Sequence, residues 1–370
     1  MADVFTEALE AIAAGESAAL STIVSSRGSL PMSKKAKMLV REDGRIVGTV
    51  GGGCLEGDVW AEARQVLESG QASLQHFILT EKHAGEDGLN CGGNVEIFTE
   101  PVAAEAREIL QRVADVRASR GSGVLATSVQ AAGDQTSSGA KLLILPDGTS
   151  FGGLGSVEAD EAVRTEVAEM ESVSEDLLRV VELATESGVQ KIFLESITPE
   201  PTLYLFGGGH VSLAIARIAA TVGFRLVVVD DREAFSNRDR FPMADSTLTL
   251  DMETAFDHLD IDDLSYIVAV TRGHQYDKPI VEQAVKTDAA YVGMIGSRRK
   301  IALMWKELEA KGFPRERLEW VHAPIGLDIG SDSPEEIAVS VMAELIAVRR
   351  SGGKPGHEVR PMSAPRLEVS

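Results

Sequence analysis

Apolar residues at Phe5, Ala8, Leu9 and Ile12 return at helical spacing, which predicts a helix over Val4 to Ala14. The run Ala18 to Val24 reads as a strand. Ala36 to Val40 and Arg45 to Gly48 flank Asp43-Gly44, a tight-turn pair, and read as a hairpin. Gly51-Gly52-Gly53 interrupts the pattern, and a helix follows from Cys54 to about Glu68. Val95 to Thr99 is the next strand, with Pro101 ending it, and Ala103 to Val116 the next helix.

The texture then repeats. Val124 to Val129 resembles Ala19 to Val24, and Ala140 to Ile144 resembles Ala36 to Val40. Asp147-Gly148 repeats the turn, Gly152-Gly153-Leu154-Gly155 stands where Gly48-Thr49-Val50-Gly51 stood, and Ile192 to Glu195 echoes Ile97 to Glu100. The order is kept and the separation is about a hundred residues, so two related segments, 15–100 and 120–196, are expected inside one N-terminal domain over 1–198. Chance likeness of two hairpins is the alternative. The second copy has no cysteine and a shorter glycine loop.

Ile197 to Pro201 reads as a stiff linker, after which strands and helices alternate. Thr202 to Phe206 is a buried-strand run that enters Gly207-Gly208-Gly209-His210-Val211-Ser212 and then a helix closed by Gly223. Arg225 to Val229 follows and ends in Asp230-Asp231. Strand, glycines, helix, strand and acidic end, in that order, predict a Rossmann unit over 202–350. Ser212 stands where the third glycine of the fingerprint would be. Tyr266 to Val270, Ala290 to Ile295 and Trp320 to Ala323 read as further strands. Ser333-Pro334-Glu335-Glu336 has the order of a capping box with proline at the first helical position. The fold class expected is α/β: an α/β domain with an internal repeat, then a doubly wound parallel sheet. The polar, proline-bearing stretch 351–370 reads as a flexible tail.

Composition narrows the partners. The chain has 370 residues and a net charge of −21, which argues against nucleic acid or anionic lipid as the main partner. It leaves room for one local basic pocket. No apolar run approaches the roughly 20 residues that span a bilayer, and the N-terminus lacks the features of a signal peptide. The only cysteines are Cys54 and Cys91, so reduced thiols and a cytoplasmic location are expected.

The candidate chemistry follows from these placements. Gly207, Gly208 and Gly209 allow a phosphate to approach the helix start at His210, and Asp230 and Asp231 stand where a ribose hydroxyl is commonly held. Gly296, Ser297, Arg298 and Arg299 open another helix with cations, which suits a phosphate; a solvated first turn is the alternative. His210 and His274 are acid–base candidates or structural residues. Cys54, after Gly51, Gly52 and Gly53, begins a helix, a position that favours thiolate and so metal contact or sulfur transfer; a small buried residue under the loop is the alternative. Cys91 lies between Asn90 and Gly92-Gly93. Two cysteines, even with His83, do not make a four-ligand zinc site.

Several longer motifs resemble the signatures of the XdhC/CoxI family. They are Gly48-Thr49-Val50-Gly51-Gly52-Gly53-Cys54-Leu55-Glu56, Asn90-Cys91-Gly92-Gly93, Phe206 to Val211, Val292 to Ser297 and Pro324-Ile325-Gly326-Leu327-Asp328-Ile329-Gly330. The resemblance implies an accessory factor that binds molybdenum cofactor in its molybdopterin form. It would assist sulfuration and hand the cofactor to a molybdenum hydroxylase such as xanthine or CO dehydrogenase. It implies that client as partner, with a cysteine desulfurase and a second copy in a homodimer as further partners. On that reading Cys54, Cys91 and His274 carry any chemistry. The readings set against it are an NAD-dependent oxidoreductase using Asp230 for ribose with Cys54 or His274 in catalysis, and a nucleotide-sensing module.

Overall fold

The structure is a computed structural model that describes residues 4–28, 33, 35–78, 93–130, 138–170, 177–185 and 188–350. Cys91, His83 and the stretch 351–370 lie outside the described residues, and Cys54 and His274 are placed by backbone alone. The chain divides into two compact units, Met1–Pro199 and Glu200–Ser370.

Unit 1 is built from two runs of elements in the same order. The first is α1 (Val4–Ala14), β1 (Ala18–Arg27), β2 (Lys37–Arg41), β3 (Ile46–Gly48), α2 (Cys54–Ser69), β4 (Ser73–Ile78) and β5 (Asn94–Val102). The second is α3 (Arg107–Ala118), β6 (Gly123–Gln130), β7 (Lys141–Ile144), β8 (Ser150–Gly152), α4 (Val157–Ala168), β9 (Leu178–Thr185) and β10 (Gly188–Ile197). The sheets run β3-β2-β1-β5-β4 and β8-β7-β6-β10-β9, antiparallel at every pairing. The predicted helix Ala103 to Val116 is a 3-10 turn over Ala104–Ala106 that leads into α3.

Each sheet packs one face on its own helix. Val59, Ala63 and Val66 of α2 cover Ala19, Met38 and Ile97, while Ala159 and Val163 of α4 cover Ala126, Leu142 and Ile192. The other faces meet in a shared core, where Phe5 and Ala8 of α1 and Leu110 and Val113 of α3 join Leu39 and Leu143. Two ion pairs cross between the halves reciprocally. Lys37 of β2 reaches Glu195 of β10 at 2.9 Å, and Lys141 of β7 reaches Glu100 of β5 at 2.6 Å. Gly48 and Gly152 match in the same way. A Cβ on either would lie 2.3 or 2.2 Å from the carbonyl oxygen of Lys37 or Lys141, so only glycine lets these hairpins close.

Unit 2 contains β11 (Thr202–Phe206), α5 (His210–Thr221), β12 (Arg225–Asp230), β13 (Ser246–Thr249), β14 (Ser265–Ala269), α6 (His274–Ala284), β15 (Tyr291–Met294), α7 (Arg298–Ala310), α8 (Arg315–Glu319) and α9 (Pro334–Arg350). Its sheet is parallel throughout, in the order β13-β12-β11-β14-β15. α5 and α9 cover one face, and α6 and α7 the other. This is the Rossmann arrangement that the glycine fingerprint predicts. Trp320 to Ala323 is not a strand. Trp320 closes the last turn of α8, and Pro324 offers no N–H, so only His322 pairs, as an isolated bridge to Gly293. The capping box at α9 forms as read: Glu336 N–H donates to Ser333 Oγ and Ser333 N–H to the Glu336 carboxylate, both at 3.2 Å.

Candidate functional site

The carboxyl ends of β11, β14 and β15 lie side by side, and each feeds a helix after a glycine-bearing loop. His210, His274 and Arg298 are the first residues of α5, α6 and α7. Three helix starts therefore bring their unsatisfied N–H groups to one rim, where ligands of open α/β sheets bind. Arg298 and Arg299 are exposed and make no ion pair or hydrogen bond with the described residues. Ser297 caps α7 by accepting from Lys300 N at 3.4 Å. His210 is exposed on the same rim.

The three glycines of the turn do different jobs. A Cβ on Gly207 (φ +103°) would lie 2.6 Å from Val270 O, and one on Gly208 would lie 1.9 Å from Phe235 O. Those two are bare because the chain's own backbone crosses them. Gly209 has no atom within 4 Å of that position, and neither has Gly273, so both leave open space beside a helix start. The Ser212 hydroxyl donates to Gly207 O, which gives the third fingerprint position an internal role.

Asp230, read from the sequence as a ribose acceptor, is buried and fully engaged. Its Oδ2 accepts from Gly208 N at 2.8 Å and from Arg232 Nη2 at 3.1 Å; its Oδ1 accepts from Arg232 N at 3.0 Å and Nε at 2.9 Å. Burial pushes its carboxyl up, but the Arg232 guanidinium and these N–H groups outweigh that and hold it below the usual aspartate range. Asp231 pairs with Arg272 at 2.7 Å, and the Arg272 guanidinium also bonds the Tyr276 hydroxyl.

Asp277 belongs to this rim, and the sequence reading passed over it. It lies in the first turn of α6 with 1% of its surface exposed. It accepts from the Thr271 hydroxyl at 2.5 Å and faces Lys300 Nζ at 3.7 Å. Burial raises its carboxyl above the usual range, against the lowering pull of Thr271 and Lys300. The available signal was its place three residues after His274, one helical turn below the loop. A second network ties down the loop that begins at Pro324. Glu344 of α9 meets His322 Nδ1 at 2.6 Å and accepts from the Tyr291 hydroxyl at 3.0 Å and Gly326 N at 2.5 Å.

In unit 1 the loop Gly51-Gly52-Gly53 leads into α2 at Cys54. Gly53 holds the N-cap position at φ 52° and no side chain caps the helix. The Thr49 hydroxyl bonds the Glu56 carboxylate, and Gly51 N donates to Thr49 Oγ1 at 3.1 Å. Gly52 and Gly53 have open space at their Cβ positions. Among the described residues no group of three or more His, Cys, Asp and Glu side chains gathers to hold a metal ion. Among the described residues no helix is long and apolar enough to cross a membrane.

Comparison with known proteins agrees on one family. Residues 203–345 match the XdhC Rossmann domain, and residues 11–77 match the XdhC and CoxI family, together more than half of the chain. A Bacillus subtilis (strain 168) protein, named as a probable xanthine dehydrogenase subunit, is 28% identical over 340 residues, 90% of this chain and 94% of that protein. An Escherichia coli (strain K12) protein named "Molybdenum cofactor insertion chaperone PaoD" is 25% identical over 349 residues, 92% of this chain and 86% of that one. A crystal structure from Bacillus halodurans, described as a xanthine dehydrogenase, superposes with a TM-score of 0.76 at 25% identity, covering 98% of each chain.

Proposed function

The chain belongs to the XdhC and CoxI family, and from that premise we propose that it is an accessory factor that binds molybdenum cofactor and helps load a molybdenum hydroxylase. The observation that carries this reading is the rim of unit 2. Three helix starts and two exposed arginines, Arg298 and Arg299, which have no partner among the described residues, stand there in a chain of net charge −21. Molybdopterin bears a phosphate, and charge-assisted contacts from guanidinium groups and helix N–H groups are what a phosphate takes. The open space at Gly209 and Gly273 gives such a group room to approach the backbone. The relative named for molybdenum cofactor insertion supports the same ligand.

On this reading Gly209, Gly296, Ser297, Arg298 and Arg299 hold the phosphate end, with His210 and His274 at the mouth. Bound cofactor supplies the molybdenum and sulfur chemistry. Independently of that rim, Cys54 of unit 1, and with it Cys91, is proposed as a thiolate for metal contact or sulfur transfer during sulfuration. The client is a hydroxylase of the xanthine or CO dehydrogenase type, a cysteine desulfurase is the sulfur source, and the working form is a homodimer.

The test is direct titration of the purified protein with molybdopterin, beside NAD as a control. Arg298→Ala with Arg299→Ala should weaken pterin binding and flatten its salt dependence, while melting stays near wild type because both side chains are exposed and have no partner among the described residues. Equal pterin affinity in the double variant would remove the rim from the proposal.

A further inference from the structure

A dinucleotide on a Rossmann glycine turn needs two things beyond the phosphate site. It needs a free carboxylate at the end of the second strand to take the ribose hydroxyls, and it needs room over the turn for the adenosine. In unit 2 both are already taken by the chain itself. The Arg232 guanidinium lays two donors on the two oxygens of Asp230, Nε on Oδ1 at 2.9 Å and Nη2 on Oδ2 at 3.1 Å. That is the place and the pattern in which a ribose diol would present two hydroxyls. The guanidinium lies 3.6 Å from the centre of the Phe235 ring, so it is held from both sides.

The backbone of the same segment packs against the turn at Gly208. Phe235 O lies 1.9 Å from the position of a Cβ on Gly208, so Gly208 is bare for Phe235. Arg240 Nε donates to Gly208 O at 2.8 Å from the other end of the segment. The neighbouring acid is engaged by two guanidinium groups: Asp231 Oδ2 meets Arg272 at 2.7 Å, and its Oδ1 lies 3.6 Å from Arg232 Nε. In this two-point contact both partners are charged, so a ribose diol that took the carboxylate would leave the Arg232 guanidinium without its counter-charge. Gly209, one residue further along the turn, stays open.

We infer that the segment Arg232 to Arg240 is a built-in occupant of the adenosine half of this site, so that unit 2 selects ligands that present a phosphate without an adenosyl group. The inference rests on the reading of the rim as the phosphate site. Arg232 is then a specificity-determining residue, which rejects the abundant adenine dinucleotides before they compete for the rim.

The experiment titrates the full chain with ADP-ribose and, separately, with inorganic pyrophosphate. The wild-type protein should show no more than about threefold preference for ADP-ribose, since the adenosyl group finds no seat. Arg232→Ala should bind ADP-ribose at least about tenfold more tightly than wild type, with pyrophosphate affinity unchanged. Arg232→Met, which keeps an apolar stem against Phe235 while removing the fork, gives the same readout if the alanine variant does not fold. A wild-type preference of about tenfold or more for ADP-ribose overturns the inference, and so does a folded variant with no gain. Neither ligand contains a pterin, so these outcomes are independent of whether the rim binds molybdopterin.

Discussion

The two halves of unit 1 run the same strands in the same order, yet they finish the loop before their second helix differently. In the later half Ser156 caps α4 by accepting from Ala159 N at 3.1 Å. Asp160 accepts from Leu154 N at 2.7 Å, and the buried Gln190 donates to Leu154 O at 3.0 Å from beneath. These three side chains close the loop on itself. In the earlier half Gly53 holds the cap position without a cap, and Glu56 of the first turn is drawn to Thr49 instead. The frame is shared, through Gly48 and Gly152 and through the crossed ion pairs. The closure is not: the later helix start is sealed by its own side chains, and the earlier one is left open.

The largest expected effect tests the shared frame. Lys37 and Lys141 keep 9% and 6% of their side-chain surface exposed, and their glutamates 11% each. Removing one partner of such a pair leaves a nearly buried charge uncompensated, at a cost of about 3–5 kcal/mol. Lys141→Met and Lys37→Met should each lower the urea midpoint by that order, and by similar amounts. Adding Glu100→Leu to Lys141→Met should restore most of the loss, because a packed apolar pair is often neutral relative to the ion pair. A large cost at one lysine and none at the other would break the equivalence of the halves.

The next effect bears on the loops. Cys54→Ser should leave the melting temperature near wild type and lower activation of an apo-hydroxylase by more than about tenfold, because a hydroxyl replaces a soft thiolate. Asp160→Asn in the later loop should do the reverse, costing about 1–3 kcal/mol of stability while activation per folded molecule holds. Full activation by Cys54→Ser at saturating protein would strip the earlier loop of its chemical role.

Much of this frame is legible in the sequence, and the parts that are not share a cause. Strong apolar runs such as Thr202 to Phe206 and Val124 to Val129 announce their strands because both faces are buried. β4, β9 and β13 are edge strands of part-exposed residues in which polar and apolar positions mix without a clean period of two. α4 begins beyond a serine cap, but its mix of small and charged residues hides the apolar face of Ala159 and Val163. At the site, the glycine turn is visible as a motif while the division of labour within it is not. Gly208 is bare for Phe235, which comes much later in the chain. The partners of Lys37 and Lys141 are likewise distant in sequence, so only the fold brings Glu195 and Glu100 to them. Asp277 escaped notice because its importance comes from burial, which a hydrophilic stretch conceals.

The smallest effect concerns the two cap positions. At α4 the cap residue Ser156 has extended backbone, φ −142° and ψ 149°, the geometry in which a hydroxyl reaches back to a helix N–H. Ser156→Ala should therefore cost about 1 kcal/mol, read from the denaturation midpoint and from faster amide exchange in the first turn of α4. A serine introduced at Gly53 does not supply the same cap to α2. Gly53 sits at φ 52° and ψ −103°, outside the extended region that capping needs, and a Cβ there is strained by about 1–2 kcal/mol. Gly53→Ser should thus destabilise rather than stabilise. Losing a serine from one loop and gaining one in the other should lower stability alike. If Gly53→Ser instead raises the midpoint, the earlier loop can adopt the closed form of the later one, and the open helix start at Cys54 is not a fixed property of this half.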